Sequence, residues 1–138
     1  MNPFLSLREY EEFVYTLRQL YPAVIGSTLT VVRRGKGTAV LRGELRLRNG
    51  YRLQVLERLD HHSGKVVIES YGYELWKNNQ KQYWYDSQPH PDDPALAATF
   101  PHHKHIPPDI KHNRIPADKI SFSCPNLPTI IREIEELS

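Results

Sequence analysis

From Thr38 to Arg48 the chain alternates without a lapse, with Leu41, Gly43, Leu45 and Leu47 on one side and Arg42, Glu44, Arg46 and Arg48 on the other. Successive side chains of a strand point to opposite faces, so a period of two commits this segment to a sheet with one buried and one wet face. Asn49-Gly50 follows at once and marks a hairpin. A two-residue turn would set Arg46 opposite Leu53 and Glu44 opposite Val55, mixing the faces. A three-residue loop, Arg48-Asn49-Gly50 with Gly50 left-handed, pairs Leu47 with Tyr51, Leu45 with Leu53 and Gly43 with Val55, and is the register expected. It carries Glu57 onto the apolar face, near Leu41.

The other elements read from local patterns. Ser6-Leu7-Arg8-Glu9 has the form of a capping box, and Leu7, Tyr10, Phe13, Val14, Leu17, Leu20 and Tyr21 follow as one helical stripe that Pro22 stops. Thr28–Arg33, Val66–Trp76 and Lys81–Asp86 read as strands, with turns at Gly35-Lys36-Gly37, His61–Lys65 and Lys77–Gln80. Asn126 as cap, Pro128 in the first turn, and Leu127, Ile130, Ile131, Ile134 and Leu137 on one face predict a closing helix. The fold class expected is α+β: an N-terminal helix, a five-stranded antiparallel meander, an irregular His/Pro-rich segment and a C-terminal helix. One domain over residues 1–138 accounts for the length.

The segment after Asp86 breaks the pattern. Seven of the eleven prolines and five of the seven histidines fall between Pro89 and Pro116. Each proline removes a donor and restricts its predecessor, so an ordered, extended wrap across the sheet is expected there instead of regular structure. Charge is also uneven. Net charge is +2, yet Arg33, Arg34, Lys36, Arg42, Arg46, Arg48, Arg52 and Arg58 cluster in the middle of the chain, and Glu133, Glu135 and Glu136 at its end. A basic sheet face suits a polyanion as well as it suits solvent. The single cysteine, Cys124, excludes a disulfide framework and is expected to pack. No apolar run approaches the roughly 18 residues of a membrane span and the N-terminus lacks signal-peptide character, so a cytoplasmic protein is expected.

Phe100-Pro101-His102-His103-Lys104-His105 holds the residues best suited to proton transfer near neutral pH. One basic and one protonated imidazole cleave an RNA phosphodiester through the 2′-hydroxyl without a metal, and Lys104 or an arginine holds the phosphate. Asp86 and His90 form a second group, in which the carboxylate orients an imidazole or merely caps a turn. In extended backbone His103 and His105 face one way and His102 the other. The same atoms suit zinc or another divalent ion, though the spacing matches none of the usual zinc patterns. Simple hydrogen bonding to carbonyls is the third use open to them. Glu57 and Glu69 each interrupt an apolar face and need partners. The aromatic pairs Tyr71, Tyr73, Trp76, Tyr83, Trp84 and Tyr85 serve as sheet cement or as a stacking platform for bases.

Tyr71-Gly72-Tyr73 through Trp76, Tyr85-Asp86-Ser87-Gln88-Pro89-His90, and Thr99–His105 together resemble the TumE family of prokaryotic toxin–antitoxin systems, with departures at Trp84, Ser87 and Pro91. The resemblance implies a toxin paired with a small antitoxin, often of helix-turn-helix type, and carries over Tyr71, Tyr73, Asp86, His90, His102, His103 and His105 as the matching positions. The function expected is a metal-independent ribonuclease toxin. Its catalytic residues are His102, His103, His105, His90, Asp86 and Glu57. Its RNA-binding residues are Arg42, Arg46, Arg48, Arg52, Lys104, Tyr71 and Tyr73. No cofactor or metal is expected, the partners are antitoxin and RNA, and a homodimer is open. A non-enzymatic nucleic-acid- or protein-binding module and a metal-dependent nuclease are the alternatives.

Overall fold

The hairpin forms in the register expected. In the computed structural model, which describes residues 2–137, β3 (Thr38–Leu47) and β4 (Tyr51–Asp60) pair Leu45 with Leu53, Gly43 with Val55 and Leu41 with Glu57. Gly50 is left-handed at φ 81°, and Asn49 shares that conformation at φ 67°, as short polar side chains tolerate.

The sheet has eight antiparallel strands and not five. β1 (Val24–Ser27) and β2 (Thr30–Arg34) both pair with β3, and the order continues through β4, β5 (Val67–Lys77), β6 (Gln80–Asp86), β7 (His103–His105) and β8 (Arg114–Pro116). Two local causes raise the count. The strand expected at Thr28–Arg33 is displaced by a break at Thr28, whose N–H donates to the Glu44 carbonyl at 2.9 Å. Opposite the break Gly43 adopts φ 137°, and a Cβ there would lie 2.6 Å from the Thr28 carbonyl oxygen, so the close approach needs glycine. The His/Pro-rich segment supplies the other two strands. The five proline-free residues between Pro101 and Pro107 suffice for the three of β7, and Pro116 is accommodated because β8 is an edge.

Three helices accompany the sheet: α1 (Leu7–Tyr15), α2 (Leu17–Leu20) and α3 (Leu127–Glu135). The Ser6 hydroxyl accepts the Glu9 N–H at 3.1 Å, the hydroxyl half of the capping box. The single N-terminal helix expected is broken at Thr16, whose hydroxyl donates to the Glu12 carbonyl at 2.7 Å, and the buried stripe ends at Leu17, leaving Leu20 exposed. Leu127, Ile130, Ile131 and Ile134 are buried along α3, each contributing about 1.5–3 kcal/mol. Asn126 does not cap α3. Its side chain accepts from Ser121 N at 2.9 Å and donates to the Tyr73 hydroxyl at 3.0 Å, linking loop to core.

Both longer helices lie on one face of the sheet, because Tyr10 of α1 donates to Glu57 while Glu133 of α3 accepts from Tyr85. Among the described residues no α-helix lies over the opposite, helix-free face, and only a short 3-10 turn, Pro94–Thr99, packs against β8. Glu57 is fully buried and accepts from the Tyr10 and Tyr73 hydroxyls; burial pushes its carboxyl up to about 7 against those two hydrogen bonds. Glu69 does not point inward. The β4–β5 register runs from Arg58 opposite Ser70 to Leu59 opposite Ile68, so Glu69 is the extra residue of a bulge and is exposed. Cys124 is exposed in the loop before α3 instead of packed. Among the described residues no helix is long and apolar enough to cross a membrane.

Candidate functional site

Strand alternation decides which side chains meet. Tyr83 and Tyr85 of β6 face the helices, so Trp84 and Asp86 face away. β7 pairs His105 with Trp84, Lys104 with Tyr85 and His103 with Asp86, and β8 adds Arg114 opposite His105. Trp84, Asp86, His103, His105 and Arg114 thus share the helix-free face. His103 and His105 are nevertheless buried. The Trp84 ring stacks on His105 with centroids 3.8 Å apart, and the His90 ring stands edge-on to His103 at 4.8 Å.

The contacts of these groups converge. Asp86 Oδ1 lies 2.8 Å from His103 Nε2, and Asp86 Oδ2 lies 3.3 Å from His105 Nε2. The two Nε2 atoms are 3.1 Å apart. Each Nδ1 is committed to a backbone carbonyl, His103 to Pro101 at 3.0 Å and His105 to Ile110 at 2.9 Å. Trp84 Nε1 donates to Asp86 Oδ2 at 2.8 Å, and the Gln88 N–H donates to Oδ1 at 3.0 Å.

Electrostatics separate the members. Burial pushes the Asp86 carboxyl up, but the hydrogen bonds from His103 and Trp84 outweigh it and hold the group at about 2. Burial pulls His103 down, and its bonds to Asp86 and the Pro101 carbonyl reverse this, leaving it raised. His105 stays lowered because burial exceeds the pull of Asp86. Burial and the Arg114 charge lower His90, whose ring nitrogens lie 2.6 and 2.9 Å from Arg114 Nη1. Arg114 Nε is buried without a hydrogen-bond partner among the described residues. His90 and Arg114 line one hollow together, and Asp86 borders the neighbouring one beside Pro89.

The other sequence-predicted residues divide between the two faces. His102 turns to the helix side, where its Nδ1 meets the Tyr71 hydroxyl at 2.7 Å. Tyr71 and Tyr73 are buried there too, so they offer no ring to a base. Glu57 lies beneath them without access to solvent. Lys104 also faces the helices, pairing with Glu133 at 3.0 Å, so it does not accompany the histidines toward a phosphate. Arg42 and Arg46 are exposed on the helix-free face. Arg52 is half-buried beside Glu44 at 3.3 Å, and Arg48 sits exposed in the hairpin loop.

That face carries a continuous series. One row across the strands runs Arg42, Leu56, Gly72, Asp86, His103, and another runs Glu44, Gln54, Glu74, Trp84, His105, Arg114. At Gly72 an added Cβ would meet nothing within 4 Å, so the backbone lies open between Leu56 and Asp86. With strands about 4.8 Å apart, the arginines and the His–Asp cluster are separated by roughly 15–20 Å. Trp76 and Trp84 stand between them, half-buried with Lys81 Nζ 5.3 and 4.3 Å from their ring centroids. The sequence reading missed Arg114, and it named Trp76 and Trp84 only among six aromatics without separating them from the buried tyrosines. Alternation against the buried Tyr83 and Tyr85 already assigns Trp84 to the outer face, whereas nothing local pairs Arg114 with His105.

Chemically the arrangement offers a carboxylate, two imidazoles with converging Nε2 atoms, a third imidazole against a guanidinium, and a basic approach on the same face. A family model described as toxin TumE matches residues 13–138. No curated protein and no solved structure matches.

Proposed function

Because the chain belongs to the TumE family of toxins, we propose that its toxic activity is cleavage of RNA on the helix-free face of the sheet. Family membership implies an antitoxin partner. A small helix-turn-helix protein in that role, and self-association of the toxin, belong to this proposal. One observation carries it: the register sets Arg42 and Arg46 on the same face as Asp86, His103, His105 and Arg114. A polyanion bound by the arginines then reaches the imidazoles without leaving the sheet.

The roles follow from exposure and charge. Arg114 binds the scissile phosphate and offsets the charge that develops on it. His90, lowered by burial and Arg114, takes the 2′-hydroxyl proton; the 2′-oxygen attacks phosphorus to close a 2′,3′-cyclic phosphate, and the 5′-oxygen leaves with a proton from water. Asp86, His103 and His105 form the centre behind them. What lies between their three lone-pair-bearing groups, a proton or a metal, decides whether the metal-independent chemistry read from the sequence applies. Trp76 serves as the stacking surface that the buried tyrosines do not provide, since Trp84 is already stacked on His105.

The test is direct. Purified protein incubated with RNA gives defined cleavage products, and His90→Ala and Arg114→Ala each lower the rate by about 100-fold or more. Intact RNA, or cleavage indifferent to both substitutions, refutes the proposal. The burial of His103 and His105 favours a second reading, a module that binds RNA on this face without turnover. It predicts salt-sensitive binding and no products.

A further inference from the structure

We propose that Asp86, His103 and His105 form a binding site for one divalent transition-metal ion. A neutral imidazole carries a single N–H. The Pro101 and Ile110 carbonyls accept only, so their contacts with Nδ1 of His103 and His105 place both protons there. In the neutral form of both rings each Nε2 is then a bare lone pair, and the hydrogen bond from His103 to Asp86 needs an added proton on its Nε2. These two atoms face each other at 3.1 Å and face the Asp86 carboxylate at 2.8 and 3.3 Å. Three electron-rich groups in a buried spot repel unless a cation lies among them.

A proton on one Nε2 serves one of these contacts well. A metal serves all three. Ligand atoms at about 2.0–2.1 Å from an ion, meeting at 90–109°, are separated by about 2.8–3.4 Å; the Nε2–Nε2 distance and the contact of each Nε2 with its own carboxylate oxygen fall in that range. The surroundings hold the ligands as metal sites require: a carbonyl behind each imidazole, and Trp84 Nε1 and the Gln88 N–H on the two carboxylate oxygens at 2.8 and 3.0 Å. The His-x-His spacing matches no helical or turn-based zinc pattern because the geometry comes from a strand. Residues i and i+2 share a face, and the paired strand brings in the carboxylate.

Two imidazoles and one carboxylate suit zinc, iron(II), manganese(II), cobalt(II) or nickel(II) more than magnesium or calcium. A three-ligand set also leaves coordination positions free, and Asp86 itself lines a hollow at the surface. A metal there polarises a phosphoryl oxygen or activates water, so the site deepens the proposed RNA cleavage while standing on its own geometry.

The test uses the full chain without a histidine tag, stripped by chelator and titrated with cobalt(II), read by its visible absorption and by metal content after gel filtration. One equivalent is expected. His105→Ala and Asp86→Ala weaken binding about 100-fold or more, while Trp84→Phe, which keeps the ring stack and removes only the donor to Asp86, weakens it about 10-fold. His61→Ala/His62→Ala, in a turn on another part of the sheet, leaves it unchanged. Circular dichroism identifies any variant that fails to fold. No bound cobalt in the folded wild type, or affinity unaltered in folded His105→Ala and Trp84→Phe, overturns the proposal. One equivalent of metal without RNA cleavage supports the site and removes the nuclease reading alone.

Discussion

Leu41 pairs with Glu57 across the β3–β4 ladder, so a carboxyl group stands within an apolar row at the centre of the sheet. Two tyrosine hydroxyls, from Tyr10 on α1 and Tyr73 on β5, converge on it, and Asn126 holds the second of them. Sequence alternation alone predicts the inward carboxylate, and the fold supplies its two partners from α1 and β5.

Burial raises Glu57 from an ordinary 4.5 to about 7. The native state then binds a proton that the unfolded chain has released between those values. This contribution is therefore complete below about pH 4.5 and declines as pH rises toward 7, by about 3 kcal/mol in all. Urea unfolding of wild type and Glu57→Gln at pH 5 and pH 8 measures it. The wild type loses more stability than the variant over that interval, and parallel pH profiles for the two proteins defeat the assignment.

Gly43 is the second position where backbone and packing leave no choice. Its φ of 137° and the 2.6 Å approach of the Thr28 carbonyl oxygen make Gly43→Ala costly, by at least about 2 kcal/mol. Gly72→Ala, with nothing within 4 Å of its new methyl group, serves as the control and changes stability by less than about 1 kcal/mol. Equal losses in the two variants would show that the break between β1 and β2 is not set by this contact.

Much of this fold is legible in the chain because its strands are long. The period of two over Thr38–Arg48 and the Asn49-Gly50 turn are enough to derive the Leu41–Glu57 register. Three-residue strands carry no period, so β7 and β8 are invisible locally, and proline density misleads by suggesting that the whole segment is irregular. The candidate site suffers the same limit. Asp86 and His103 are visible as candidates, but their pairing depends on β7 docking against β6. Asn126 looks like a helix cap by position, and its side chain instead serves a hydroxyl from β5.

The arginines and Lys104 now make opposite predictions, although all of them read alike as phosphate-binding residues in the sequence. Arg42→Gln, Arg46→Gln and Arg52→Gln each weaken RNA binding uniformly across sequences and lower the slope of log affinity against log salt by about 0.7–1. Lys104→Gln leaves the slope unchanged, because its ammonium is held by Glu133 on the other side of the sheet. Fluorescence anisotropy with labelled RNA over a salt series distinguishes them. A smaller slope in Lys104→Gln, with wild-type slopes in the arginine variants, would place the RNA on the wrong face.

The adjacent histidines His102 and His103 separate in the same way, because one residue along a strand reverses the face. His102 shares a hydrogen bond with the Tyr71 hydroxyl and packs against the Phe122 ring with centroids 4.5 Å apart, inside the helix-covered layer. Burial and the neighbouring His103 lower its affinity for a proton. Its contribution is to position the chain entering β7. His102→Leu then costs about 1–2 kcal/mol through the orphaned Tyr71 hydroxyl, yet changes RNA cleavage by less than about three-fold once the variant is folded. His90→Ala, on the open side, does the reverse: little loss of stability and a large loss of rate. Thermal unfolding and cleavage rates measured on both variants decide the matter. A His102→Leu protein that is stable but inactive would mean that the helix-covered side of β7, and not its outer face, carries the chemistry.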